Sequence, residues 1–384
     1  MALIVSYPRR VRGFDGHDLP KNPTCPADRA DHTTSMSSER TPMPKPQPHR
    51  RRALAALSSL IVAGSLVACA GDDGDGGGLT PDNPTAASVQ FGWTPNVENM
   101  AAIVAEQKGY FAEEGIDIDI LPGGPEVSAD AQLVSGNADM ALLDSQTLAQ
   151  SVANGAPIVG IGATYQTSGS AIISLAGSGI TSPKDLEGKT FGLSQIDHRV
   201  YEPFLKAEGV DLSTVTIVDT GADPASLVSG EVDAMSSMLS NQPVTLKEKG
   251  VDTDAIPLSE SDYNPWNGIL AVRKDALADS AKRPVLLAMA RAIESGLEDA
   301  VADPAAVGGI VWTSYAKNLG LSEYSQVEGA KVWAGLTTAA TRESGLSLID
   351  DGGVRGQQDF FDKTGITTPA ADLFDTSAST EAFS

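Results

Sequence analysis

Between residues 86 and 276 the chain alternates two patterns. Short apolar runs rich in β-branched residues recur, separated by stretches whose apolar positions repeat every three to four residues. The first run covers residues 89–93. A helical segment at 97–107 follows and stops at Gly109, a residue suited to the left-handed C′ position. IDIDIL (116–121) alternates as a half-buried strand should, whereas ADMALL (138–143) and IVGIGA (158–163) read as buried strands. Helices are expected at 129–134 and 145–154, the second halted by Gly155 and Pro157. This βαβα order predicts a mostly parallel sheet covered on both faces.

A second unit opens after the strand AIISLA (171–176). In TSPKDLEGKTFGLS, Ser182 is placed to cap a helical turn with Pro183 at its first position, and the strand 190–193 follows. Helices at 198–207 and 224–229 and strands at 214–219 and 232–235 complete a smaller α/β lobe. GILAVR (268–273) carries the chain back, and the pattern after Ala276 is helical to about residue 362. The expected division is therefore residues 87–176 plus 268–384 as lobe 1 and 177–267 as lobe 2. Two extended crossings join them, and a cleft lies between, where open sheets present the carboxyl ends of their strands. Lobes hinged in this way can enclose a small ligand.

The amino-terminal portion has another character. Arg50, Arg51 and Arg52 precede an apolar run at 53–66, and Leu66-Val67-Ala68 leads directly into Cys69. This is the layout of a secretory signal, and it is shorter than the ~20 apolar residues of a membrane-spanning helix. LVAC resembles a bacterial lipobox, which implies lipidation of Cys69. The triple arginine fits general export better than the twin-arginine route. Met43 opens a well-formed signal at 43–68, so residues 1–42 are expected to be an extension outside the natural product. The Gly- and Asp-rich segment 69–86 reads as a flexible tether.

Composition narrows the function. A formal charge of −23 over 384 residues excludes a basic nucleic-acid-binding surface. Beyond Cys69 there is no further cysteine, and His198 stands as the one histidine of that portion. No Cys/His grouping has zinc spacing, so no metal or cofactor is implied. No G-x-S-x-G elbow is present, and EGKT (187–190) has Pro183 where a phosphate loop needs glycine. The residues therefore argue against an enzyme.

WTPN, AEQKGYFAEEGIDIDIL, LVSGNADMAL, GITSPKDLEGKTFGLS and VSGEVDAM together resemble the substrate-binding proteins of bacterial ABC importers. The branch they resemble binds thiamine pyrimidine precursors and is related to nitrate, sulfonate and taurine binders. The resemblance spans roughly residues 88–300. It implies a two-lobed α/β fold of the periplasmic-binding-protein type II class, with mostly parallel sheets and a central cleft. It also implies an exported monomer, held by lipid on Cys69 at the outer face of the bacterial cell membrane and delivering a small-molecule ligand to a permease and its ATPase. Eukaryotic relatives that make the thiamine pyrimidine rely on histidine and a cysteine-rich segment, which this chain does not offer.

Candidate ligand residues lie at strand ends, where a cleft presents polar and aromatic groups. In the pyrimidine-binding branch a tryptophan in the WTPN motif stacks on the ligand, which points to Trp93; the alternative is packing in the core. Asn96 either meets a heterocycle or caps the helix that follows. Asp144 is placed to meet a ligand amino group, and Ser145 beside it either joins the site or caps the helix. Tyr165, Gln166 and Ser168 fall at the first crossing as hinge or cleft residues. Ser194, Gln195 and Asp197 lie at a helix amino terminus, where they hold an oxyanion or cap. Ser237 and Asn241 follow the strand 232–235. Pyrimidine binders commonly carry a glutamate shortly after that asparagine, but here Gln242-Pro243 stands there. Trp266, at the return crossing, either sandwiches a flat ligand with Trp93 or packs in the hinge. Arg199 is the cation of these loops that a sulfonate or nitrate would need. Two tryptophans among amides and carboxylates favour a flat heterocycle, a hydroxymethylpyrimidine-like precursor first and a flavin second.

Overall fold

The computed structural model describes residues 79–194, 197–261, 263–339 and 345–384. The signal, Cys69, most of the expected tether and Gln195 lie outside them. Ten strands are present among the described residues, in two five-stranded sheets. Lobe 1 contains β1 (Thr85–Gln90), β2 (Ile116–Leu121), β3 (Met140–Leu143), β4 (Ile158–Tyr165) and, from the return of the chain, β10 (Asn267–Arg273), in the order β2-β1-β3-β10-β4. Lobe 2 contains β5 (Ser170–Leu175), β6 (Thr190–Leu193), β7 (Thr216–Asp219), β8 (Ala234–Met238) and β9 (Thr253–Pro257), in the order β7-β6-β8-β5-β9.

Both sheets are mixed rather than uniformly parallel. β1 pairs in parallel with β2 and β3, but β10 is antiparallel to both β3 and β4. Likewise β6 pairs in parallel with β7 and β8, whereas β5 is antiparallel to β8 and β9. The reason is topological. β5 and β10 are the strands by which the chain enters each lobe from the cleft, so they must run away from it. Their neighbours run toward the cleft and end there.

This moves a domain boundary. The run AIISLA was expected to close lobe 1 at residue 176, but β5 hydrogen-bonds to β8 and β9 and belongs to lobe 2. The first crossing is therefore residues 166–169. The carboxyl end of the expected tether range, 69–86, overlaps β1. Thr85 donates its N–H to the Gly115 carbonyl at 2.8 Å, and β1 already begins there, paired with β2.

In lobe 1, every residue of β3 and β4 is buried, in keeping with a sheet covered on both faces. β4 ends its sheet, and the carboxyl-terminal segment covers its open edge. Gly160 N–H donates to the Leu373 carbonyl at 2.8 Å, Asp375 N–H donates to that of Gly160 at 3.0 Å, and Ala163 N–H to that of Ser347 at 2.9 Å. An edge closed in this way offers no template for another chain. The helix Met100–Lys108 buries Met100, Ile103 and Val104 in the core, meets the long helix Lys282–Ala302 where Ala101 and Ala105 approach Gly296, and stops at Gly109, whose φ of 83° suits glycine. No helix among the described residues is long and apolar enough to cross a membrane.

Candidate ligand-binding cleft

The carboxyl ends of β1, β3, β4, β6 and β8 converge on a cleft of about 630 Å³ between the lobes. The loop after β1 supplies Trp93, which is half-buried and faces the cleft. Local chemistry fixes that loop. Gln90 is buried, and its side-chain amide lies 3.0–3.1 Å from the carbonyls of Phe91, Leu121 and Pro122, donating to them. Gly123 N–H donates to the Trp93 carbonyl at 3.1 Å. A Cβ on Gly123 would lie 2.3 Å from the Phe91 oxygen, so only glycine lets the two loops close on each other. Replacing Gln90 by Leu takes this donor from the Phe91 and Pro122 carbonyls, while that of Leu121 keeps the Phe91 N–H at 3.0 Å. It is expected to lower stability by about 2 kcal/mol, read as a shift in the urea midpoint; an unchanged midpoint would mean the loops hold themselves.

In the same lining, Tyr165 and Trp333 stack with ring centroids 4.0 Å apart and planes inclined by 31°. Both line the cleft while only 2% and 1% exposed. The phenol oxygen of Tyr165 and the indole N–H of Trp333 are buried without a hydrogen-bond partner among the described residues. Such groups are costly to leave unsatisfied and mark a place where polar atoms of a ligand or water are wanted.

The second lobe contributes a hydroxyl-rich wall. Asp197 Oδ2 accepts from Ser194 Oγ and from Ser236 Oγ, each at 2.7 Å. Ser237 Oγ donates to Gln242 Oε1 at 3.1 Å, as does Met238 N–H at 3.0 Å. Ser237 and Asn241 both line the cleft. Gln242, in the place where the resemblance expects an acid nearby, orders the loop after β8.

Glu98, not singled out from the sequence, also lines the cleft. It stands two residues after Asn96 in the turn Val97–Asn99. Burial first, and the charge of Asp197 from the other lobe second, push its carboxyl up to about 7, against a smaller opposing hydrogen bond from Asn96. Burial likewise raises the Tyr165 phenol, with Glu98 adding to the effect.

Of the expected site residues, the structure brings together Trp93, Asp144, Ser194, Asp197, Ser237 and Asn241. Four others sit elsewhere. Asn96 is 4% exposed and caps the following turn, its Oδ1 accepting the Glu98 N–H at 2.8 Å. Ser145 is buried, and it and Trp266 exchange two bonds: Ser145 N–H to the Trp266 carbonyl at 2.9 Å and Trp266 N–H to Ser145 Oγ at 3.1 Å. Trp266 thus packs in the hinge, its ring 5.5 Å from that of Phe374. Gln166 turns away and donates to the Leu348 carbonyl at 2.7 Å. Besides Trp93, the aromatic rings that line the cleft include Tyr165 and Trp333 and not Trp266. Asp144 caps its helix through Thr147 N–H, 2.8 Å from Oδ1.

The lobes meet beside the cleft. Gln146 Nε2 donates to the Arg199 carbonyl at 3.2 Å, and Ser322 Oγ donates to Glu248 Oε2 at 2.6 Å. At the hinge, Asn264 joins both crossings, accepting from Ser168 N–H at 2.7 Å and donating to the Gln166 carbonyl at 2.8 Å.

Two mixed α/β sheets, two crossings and a cleft at the strand ends define the architecture of type II periplasmic binding proteins. Solved structures share it. The sulfonate-binding protein SsuA of Methylobacillus flagellatus aligns with a TM-score of 0.55 at 17% identity, covering 78% of this chain and 94% of that one. The nitrate-binding protein NrtA of Synechocystis PCC 6803 gives 0.55 at 12% identity, covering 78% and 88%.

The chain belongs to the NMT1/THI5 like family, whose model matches residues 96–307, more than half of its length. A formylaminopyrimidine-binding protein of Halalkalibacterium halodurans is 30% identical over 224 residues, which cover 56% of this chain and 66% of that protein. A 4-amino-5-hydroxymethyl-2-methylpyrimidine phosphate synthase of Uromyces fabae is 29% identical over 249 residues, covering 60% and 70%.

Proposed function

We propose that this protein is the solute-binding component of an ABC importer and captures a small flat heterocycle of the aminopyrimidine class. The observation that carries the reading is the aromatic cleft itself, lined by Trp93 and by the stacked Tyr165–Trp333 pair, among hydrogen-bonding side chains from both lobes. Flat rings suit such walls, and the polar groups fix their orientation. The formylaminopyrimidine-binding relative agrees with this choice. Sulfonate or nitrate fits poorly, because Glu98, Glu126, Asp130, Asp144 and Asp197 line the cleft against the single guanidinium of Arg199. The same charge opposes a phosphorylated ligand. His198 is held by Glu202, with Nδ1 and Oε1 2.7 Å apart. The reading is therefore of a binding protein and not of an enzyme. Mass spectrometry of molecules released from the denatured protein tests it: a pyrimidine supports the reading, and a sulfonate or phosphate ester contradicts it.

On this reading the protein acts as a monomer outside the cell membrane, anchored by lipid on Cys69 and handing its ligand to a permease with its ATPase. Cys69→Ser is expected to release the protein from the membrane fraction, as read by fractionation; continued retention would contradict the anchor.

A further inference from the structure

The carboxylates of the cleft outnumber its cations, with Arg199 the one cation in the lining. Glu98, Glu126, Asp130 and Asp144 come from lobe 1 and Asp197 from lobe 2, and none of them enters an ion pair among the described residues. Their contacts are with neutral groups. Asp130 accepts from Ser128 Oγ and Ser151 Oγ, each at 2.5 Å, and Asp144 accepts from Thr147 Oγ1 at 2.6 Å. Asp197 spends Oδ2 on two serines. Arg199 is solvent-exposed at the edge of the site.

A second observation marks the place as built for a ligand. The Tyr165 hydroxyl and the Trp333 indole N–H, both on nearly fully buried side chains that line this cleft, have no partner among the described residues. Polar groups placed in this way beside unneutralised carboxylates call for a molecule that brings positive charge together with hydrogen-bonding atoms.

We propose that the cleft selects a cation: a heterocycle bearing a protonated amine, seated between Glu98 of lobe 1 and Asp197 of lobe 2. The inference rests on the heterocycle reading above and adds to it the charge of the ligand. A cation so placed neutralises carboxylates of both lobes at once, and therefore favours the arrangement in which they are close. Glu98 shares the cleft lining with the Asp197 carboxylate and the Tyr165 phenol, and the Asn96 carboxamide acts on it from two residues away. None of these is a base able to supply the missing positive charge. Because Glu98 titrates near 7, a bound cation would also draw a proton off it.

The test compares two probes with the same ring, 4-amino-2-methylpyrimidine carrying either 5-aminomethyl or 5-hydroxymethyl. Calorimetric titration at pH 7.0 is expected to give at least about tenfold tighter binding of the aminomethyl compound. Its binding should release protons, seen as a heat that varies with the buffer's ionisation enthalpy, while the hydroxymethyl compound releases fewer. In Glu98→Gln and in Asp197→Asn the preference should fall to about threefold or less. Equal affinity of the folded wild-type protein for both probes overturns the charge inference and leaves the heterocycle reading standing, as does a preference unchanged in both variants. Binding of neither probe overturns both. The wild-type comparison and its proton release decide the matter even if a variant fails to fold.

Discussion

Trp93→Ala is expected to weaken binding of an aminopyrimidine by roughly thirtyfold or more while leaving the fold intact. A ring stacked on a ligand contributes on the order of 1.5–3 kcal/mol through burial and about 0.5–1.5 kcal/mol through aromatic geometry. A loss of about 2 kcal/mol corresponds to that change in Kd. Trp93 itself is half-buried, and its loop is fixed by Gln90 and Gly123 rather than by the indole. Truncation should therefore lower the urea midpoint little. Calorimetric titration and urea denaturation of the same variant separate the two effects. Unchanged affinity would remove Trp93 from the ligand's surroundings.

Glu98→Gln is expected to stabilise the unliganded protein at pH 8 and to change it little at pH 4. The sign follows from the direction of the shift. The folded state holds Glu98 at about 7 against an ordinary 4.5, so it binds the proton more tightly than the unfolded chain does. Stability from this group is thus fully present below 4.5 and is lost as pH rises through 7. The gap is equivalent to about 3 kcal/mol, and solvent in the cleft screens part of it, leaving a gain of about 2 kcal/mol for the neutral amide. Denaturation at both pH values reads the difference. A gain of equal size at pH 4, or a loss at pH 8, would contradict the burial of an uncompensated carboxylate. The same substitution should weaken binding of an amine-bearing ligand, so stability and affinity move in opposite directions, as expected of a site held ready for a charge.

Much of the fold was legible because its strands carry their own periodicity. IDIDIL alternates and became β2, and TFGL became β6 with the expected bounds. β9 was not foreseen, since TDAIP holds Asp and Pro and is exposed in part, the composition of an edge strand. The run AIISLA announces a buried strand, but burial does not say in which sheet, and a crossing strand belongs to whichever partner it pairs with.

Strand ends were a sound guide to the lining of the cleft for Trp93, Asp144, Ser194, Asp197, Ser237 and Asn241, because parallel strands bring their carboxyl ends to one side. Trp266 shows the limit of that guide. A tryptophan at a crossing can face either way, and here its backbone bonds to Ser145 turn it toward Phe374. Trp333 lies in the helix Glu323–Ala339, far along the chain, where nothing local separates a cleft-facing aromatic from a core one. Glu98 carried the one usable signal, a carboxylate in the turn that directly follows WTPN, two positions from Asn96.

The central claim is that the cleft holds a flat, donor-rich heterocycle and rejects anions. Calorimetric titration of the protein with 4-amino-5-hydroxymethyl-2-methylpyrimidine, and in parallel with taurine and nitrate, tests it most directly. The predicted result is saturable binding of the pyrimidine and no measurable heat from the two comparators. Saturable binding of taurine or nitrate without binding of the pyrimidine would contradict it.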